Sequence, residues 1–247
     1  SSMLGVESAV ENVVDFLASE GMVQKTGEDG VTILPSGKRV SDLYIDPKSA
    51  VILRDAVMRM KPDTEDLMIL HAITSTPDVM TLYPRKKDMD ALLDLEEKYT
   101  GRFLCDVDGE DDYSRELLLA ALKTAVLLEN WMNEVDEDTI TDSMGIGPGD
   151  IRSRVDKAEW IMYAMTEIAR LFNPSAEKRM RPMMTRLKYG VRQELIELVS
   201  LRGVGRVRAR SLFNAGIRNM ADLMYIDVGK LAAIPKIGPA LAKSLKE

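Results

Sequence analysis

Residues Leu198, Leu201, Gly203, Val204, Gly205, Ala209 and Leu212 recur in kind 33 positions later as Leu231, Ile234, Lys236, Ile237, Gly238, Ala242 and Leu245. Only the first glycine changes, to Lys236. Each copy reads as a helix, a tight apolar hairpin and a second helix. A hairpin glycine permits positive φ and brings bare backbone amides forward at the start of the second helix. Amides at a helix N-terminus bind an anion, and nothing in the pattern reads a base edge. The chemistry on offer is the holding of a nucleic-acid phosphate backbone. The alternative is a helical hairpin whose glycine merely permits a turn. Lys236 leaves that alternative more open in the second copy, although Pro239 suits the first turn of the helix that follows. Arg202, Arg206, Arg208 and Arg210 surround the first hairpin, and Arg206 and Arg210 fall one turn apart on a shared helix face beside the anion site.

A second constellation follows Gly145-Ile-Gly147-Pro148-Gly149-Asp150. As a nucleotide fingerprint this stretch is weak, because no strand precedes it and the spacing is wrong. It reads better as a loop with Asp150 as a helix N-cap. Ile151, Val155, Ala158, Met162, Met165 and Ala169 then form one apolar stripe. Trp160 projects to the opposite side, nearest to Ser153, Asp156, Ala164 and Glu167. An indole there either packs on a second neighbour, as large aromatics usually do, or is exposed to stack on an unpaired base.

These residues need a scaffold. Val6, Val10, Val13, Val14 and Leu17 have helical spacing up to Gly21. Met22-Val23-Gln24 and Val31-Thr32-Ile33-Leu34 flank a turn-rich loop as two strands. A helix followed by a β-hairpin is the back half of a winged helix. Asp46-Pro47 is a cap followed by proline at the first helical position. Helices are expected over 47–60, 64–74, 87–100, 114–133 and 151–172, with Pro182 and Gly190 punctuating the passage to the first hairpin.

Composition bounds the options. The 247 residues suit two or three small domains. No uninterrupted apolar run is long enough for a membrane span. The single Cys105 rules out an internal disulfide, and the single His71 leaves no His/Cys metal cluster. They are expected as a buried thiol and a helix-surface imidazole. The sixteen methionines read as gap-fillers in helix packing. Residues 1–150 hold 14 Lys and Arg against 31 Asp and Glu, a net −17, and residues 151–247 hold 19 against 9, a net +10. A basic C-terminal section on an acidic body suggests a localised polyanion footprint. The acidic clusters Asp106–Asp112 and Glu134–Asp138 lack calcium-loop spacing and are expected as solvated inter-helix loops. Ser1, Ser2 and Met3 read as a cloning remnant, and the missing front of the winged helix suggests a piece of a longer chain.

The repeat resembles tandem helix-hairpin-helix DNA-binding modules. Gly37-Lys-Arg-Val-Ser-Asp-Leu-Tyr-Ile-Asp-Pro47, Pro148-Gly-Asp-Ile-Arg152, Ala158-Glu-Trp160, Lys188-Tyr-Gly-Val-Arg192 and Leu201-Arg-Gly-Val-Gly-Arg-Val-Arg-Ala-Arg210, in this order, resemble the C-terminal third of the archaeal Hjm-type superfamily-two DNA repair helicases. The resemblance implies a mainly α fold: a partial winged helix with a small β-hairpin over 4–45, a helical ratchet bundle over 46–185 and a helix-hairpin-helix domain over 186–247. It implies that Trp160 stacks on single-strand bases. The family's companion Arg position is Ser153 here, with Arg152 and Arg154 alongside. Arg208 and Arg210 match an Arg-x-Arg element that acts as a brake or clamp on the strand.

The candidate DNA-binding set is Trp160, Arg152, Ser153, Gly203, Val204, Gly205, Arg206, Arg208, Arg210, Lys236 and Gly238. The expected function is the strand-guiding end of an ATP-dependent helicase acting on branched or stalled-fork DNA. The chain lacks a phosphate-binding Gly-x-x-x-x-Gly-Lys-Ser/Thr loop and a strand-terminal Asp-Glu pair, so it is expected to need no cofactor, with ATP and magnesium belonging to the parent protein. The expected partners are single-stranded and branched DNA and replication or repair proteins, for a monomer in the cytoplasm at the nucleoid. A protein-interaction module with incidental DNA binding is the second reading, and a hydrolase hidden in the acidic clusters is the third.

Overall fold

The computed structural model describes residues 2–27, 30–106 and 111–247, with side chains from residue 6 onward. Helix α1 (Ser2–Ser19) leads into strands β1 (Val23–Thr26) and β2 (Gly30–Ile33), which pair antiparallel with Val23 opposite Ile33. The bundle follows: α2 (Pro35–Asp42), α3 (Pro47–Arg59), α4 (Asp66–Thr74), α5 (Met89–Lys98), α6 (Asp112–Met132), α7 (Glu137–Met144), α8 (Pro148–Phe172) and α9 (Pro174–Tyr189). The chain ends in α10 (Ile196–Val199), α11 (Arg206–Asn214), α12 (Met220–Tyr225), α13 (Val228–Ala233) and α14 (Gly238–Ser244). The fold is mainly α with one small β-hairpin, as expected. No helix among the described residues is long and apolar enough to cross a membrane.

Buried apolar side chains sort into two clusters. One runs from Met22 to Leu187 and joins Met22, at the start of the β-hairpin, to the bundle through Leu43 and Ile45. The other holds Val191 to Ala242 and includes Leu198, Val204, Ala209, Leu212, Leu231, Ile234 and Ile237, the apolar positions of the repeat. The apolar positions of both copies are therefore part of one shared interior in the C-terminal module, with Val191, Leu195, Val199, Ile217 and Leu223 filling the rest of it. In the bundle, α8 packs against α3, α4, α6, α7 and α9. Its predicted stripe of Ile151, Val155, Ala158, Met162, Met165 and Ala169 is buried throughout, and Met68, Met132, Met180 and Met183 fill the space around it.

Several expectations are corrected. Asp46 does cap α3, its side chain accepting from the Lys48 amide at 2.7 Å. Asp150 is not the N-cap of α8: the helix begins at Pro148 with Gly147 as cap, and Asp150 reaches back from the third position to accept the Gly147 amide at 3.0 Å. Proline at the first position starts the helix three residues early. Helix α9 runs through Pro182, which was expected to break it. Burial of Met180, Met183 and Leu187 on its inner face outweighs the lost main-chain bond. Helices α2 and α7 were not expected at all. Glu134–Asp136 lie in the loop between α6 and α7 as expected, and Asp136–Asp138 are exposed. The Asp136 side chain also caps α7 by accepting from the Asp138 and Thr139 amides, so Glu137 and Asp138 belong to its first turn. The cluster Asp106–Asp112 lies partly outside the described residues; among those described, no group of three or more His, Cys, Asp or Glu side chains could hold a metal ion.

His71 is not on a helix surface. It is 1% exposed, tilted against Phe103 with ring centroids 4.8 Å apart, and among the described residues neither ring nitrogen makes a well-formed hydrogen bond. Burial pulls its pKa down to about 4, which keeps it a neutral, nearly apolar ring. The Cys105 thiol, partly buried, is pushed up to about 11 by the same effect.

Candidate nucleic-acid interface

The first hairpin joins α10 to α11. Val204 is buried as its apolar anchor, while Arg202, Gly203, Gly205, Val207 and Arg208 are exposed around it. Gly203 takes φ +79°, and Lys236, its counterpart, takes φ +71°. The second copy therefore keeps the left-handed turn without the glycine, at a cost of about 1–2 kcal/mol. Gly238 is also left-handed, at φ +68°.

Gly205 behaves differently. Its φ of −93° and ψ of −174° suit any residue, and a Cβ built there would meet no atom within 4 Å. It is the N-cap of α11, which no side chain caps, so the first-turn amides open toward solvent. Neither φ nor packing requires a glycine at this position, although glycine is itself a favoured N-cap.

The four arginines separate into distinct roles. Arg208 is exposed, but it is not a free charge. Its Nη1 donates to the Gly203 carbonyl at 2.7 Å and its Nε to the Lys236 carbonyl at 3.1 Å, so it braces both hairpins. Arg206 and Arg210 do share a face of α11, but that face meets the bundle. The Arg206 guanidinium lies 4.6 Å from the Trp131 ring centroid and donates to the Val135 carbonyl at 3.0 Å. Arg210 binds Glu134 at 3.0 Å through Nε and Glu194 at 2.8 Å through Nη2. The Glu134 carboxylate holds its pKa well above the ordinary arginine value against the opposing effect of burial, with Glu194 adding to it. The expected face of Arg206 and Arg210 beside an anion site is corrected: Arg210 is held by these two carboxylates. Only Arg202 of this group has no ion pair or side-chain hydrogen bond among the described residues.

Glu134 is the residue that sequence reasoning missed. It takes φ +62°, its side chain is 14% exposed, and its carboxylate also accepts the Arg192 amide at 3.3 Å. Trp131, one turn earlier, donates Nε1–H to the Leu187 carbonyl at 2.7 Å. Together they form a polar lock that fixes the hairpin module on the ends of α6 and α9. No local pattern distinguishes Glu134 from the acidic residues beside it, because its partners lie 58 to 76 positions away.

On α8, Arg152 and Ser153 are exposed, and Arg152 pairs loosely with Asp156 at 3.4 Å. Arg154 turns inward and donates to the Asp150 main-chain oxygen at 3.1 Å. Trp160 lies between the two extremes expected for it. It packs half-buried against the bundle core, and its Nε1–H donates to the Leu43 carbonyl at 3.1 Å. The Lys157 ammonium sits 4.5 Å from its ring centroid. The helix face carrying Trp160 is open at Ser153 and Asp156 but buried at Ala164 and Glu167, where the Arg39 side chain of α2 pairs with Glu167.

The fold is a helical bundle locked to a paired helix-hairpin-helix module, and comparison with known proteins places both parts. A family model described as archaeal helicase, domain 4, matches residues 67–190, and one described as a SAM-like helix-hairpin-helix tandem matches residues 195–247. The chain belongs to the archaeal helicase domain 4 family. It is 38% identical over 240 residues to a protein of Methanocella arvoryzae named ATP-dependent DNA helicase Hel308, which covers 96% of this chain and 32% of that protein. It is 34% identical over 242 residues to proteins of the same name from Pyrococcus horikoshii, covering 97% of this chain and 33% of the relative, and from Aeropyrum pernix, covering 96% and 32%. The chain thus spans about a third of the length of these relatives.

Proposed function

We propose that this chain is the single-strand-guiding portion of an ATP-dependent DNA helicase that unwinds branched or stalled-fork DNA. Its own task is binding: the hairpin module holds the phosphate backbone while the surface around Trp160 supports unpaired bases. The single observation that carries this reading is Gly205. A glycine that the protein needs neither for φ nor for space, at the open N-terminus of α11, fits a site where a ligand must approach the backbone closely. Val204 anchors the hairpin from below, and Arg202, Lys236 and Gly238 border it. The names of the relatives and the hairpin family support DNA as that ligand.

ATP and magnesium belong, on this reading, to the remainder of the helicase. Gly37-Lys38-Arg39 does not fit a phosphate loop, because a Cβ on Gly37 would lie 2.1 Å from the Met22 carbonyl oxygen. That glycine serves the contact between α2 and the β-hairpin.

Titration of a fluorescein-labelled oligothymidylate at two salt concentrations tests the reading. Binding is expected to fall steeply with salt, by roughly 0.7 counterions per phosphate contact, with little dependence on base sequence. Gly205→Ala is expected to lower stability by no more than about 1 kcal/mol, the difference between glycine and alanine as an N-cap, and to weaken binding beyond that. Salt-insensitive binding, or a Gly205→Ala variant that binds as well as the parent, would favour a protein-interaction module.

A further inference from the structure

We propose that Tyr44 is a second base-stacking residue, set beside Trp160 on the same rigid seat. The inference rests on the single-strand reading above and extends it to a residue outside the candidate set. Tyr44 follows the C-cap of α2 and takes φ +55°, a left-handed conformation that glycine, and sometimes asparagine, normally supplies after a helix. The side chain is 83% exposed, so packing does little to offset the strain. The turn itself closes through the main chain, with the Tyr44 amide donating to the Ser41 carbonyl at 3.1 Å, and glycine would close it equally well. A strained, solvent-facing aromatic that the fold does not require points to a use outside the fold.

Its position supplies that use. The Leu43 carbonyl, one bond from the Tyr44 amide, accepts the Trp160 Nε1–H at 3.1 Å, and Leu43 itself is buried. Standard backbone dimensions therefore place the Tyr44 Cα within about 6 Å of the indole nitrogen. The seat beneath them is stiff. Arg39 of α2 pairs with the buried carboxylate of Glu167 on α8, and Arg170 pairs with the same carboxylate at 2.6 Å. Lys157, over the indole, adds a cation beside the two rings. Two aromatic side chains next to an ammonium group form a platform for successive unpaired nucleotides, which stack without regard to sequence.

The test uses Tyr44→Gly and Tyr44→Phe, with Gly205→Ala as an independent reporter of strand binding. Glycine suits the left-handed turn, so Tyr44→Gly is expected to melt at the same temperature as the parent or higher. It is expected to bind the labelled oligothymidylate about 5- to 100-fold more weakly, while Tyr44→Phe binds as the parent does. On an abasic phosphodiester strand of equal length, the parent and Tyr44→Gly are expected to bind alike. A Tyr44→Gly variant that binds oligothymidylate normally while Gly205→Ala does not would overturn the stacking role and leave the strand-guiding reading intact. Loss of melting temperature in Tyr44→Gly would make the ring structural and equally overturn the proposal. Failure of the parent protein to bind oligothymidylate would overturn both.

Discussion

Arg208 donates through Nε to the main-chain carbonyl of Lys236 at 3.1 Å, tying the first hairpin to the second. The same guanidinium holds Gly203, so the left-handed residue of each copy is fixed by one side chain. A charged group beside the first hairpin is in this way also a structural brace. Arg208→Ala is expected to destabilise the module by about 1–2 kcal/mol, since two hydrogen bonds from a charged donor to partly solvated carbonyls are lost. Urea denaturation measures it; an unchanged midpoint would return Arg208 to the status of a free surface charge.

Lys236 carries the cost of a left-handed turn without glycine. Lys236→Gly is expected to raise stability by about 1 kcal/mol, the relief of Cβ strain being partly offset by the freer unfolded chain. The carbonyl that Arg208 holds is retained in this variant. If the ammonium group contacts phosphate, the salt dependence of oligothymidylate binding becomes shallower at the same time. A variant that melts lower than the parent contradicts the strain argument.

Arg210 is expected to act through the junction between module and bundle. Arg210→Ala leaves Glu134 poorly solvated and without its cation, at a cost of about 2 kcal/mol. A double-mutant cycle with Glu134→Gln should give a coupling of about 0.5–3 kcal/mol. The salt slope of strand binding should stay close to that of the parent. Additive stability losses, or a clearly reduced salt slope, would place Arg210 on the strand instead of in the lock.

His71 makes stability depend on pH. Its folded pKa of about 4 lies below the ordinary 6.5, so the unfolded chain binds the proton more readily. Stability is therefore expected to fall as pH drops from about 6.5 to about 4, by roughly 3 kcal/mol in all. His71→Leu should flatten this part of the profile. Chemical denaturation across that range compares the two proteins, and parallel slopes would mean the imidazole is not the titrating group.

The sequence by itself determined the repeat and the long helices. The apolar positions that recur at 33-residue spacing lie in the C-terminal core, and the stripe from Ile151 to Ala169 is the inner face of α8. Hydrophobic periodicity is a local code, so these features are visible without coordinates. Pro182 misled because a proline penalty is local, whereas the burial of Met180, Met183 and Leu187 that overrides it comes from other helices. The pairing of Arg210 with Glu134, the inward turn of Arg154 and the capture of Trp160 by the Leu43 carbonyl were decided only by the tertiary structure. Charge and aromaticity are properties of a residue, but solvation is a property of its surroundings, and those surroundings are assembled from segments as far as 128 residues apart. Sequence could thus assign arginines and a tryptophan to the right helices, while packing decided which of them remain open to a ligand and which hold the protein together.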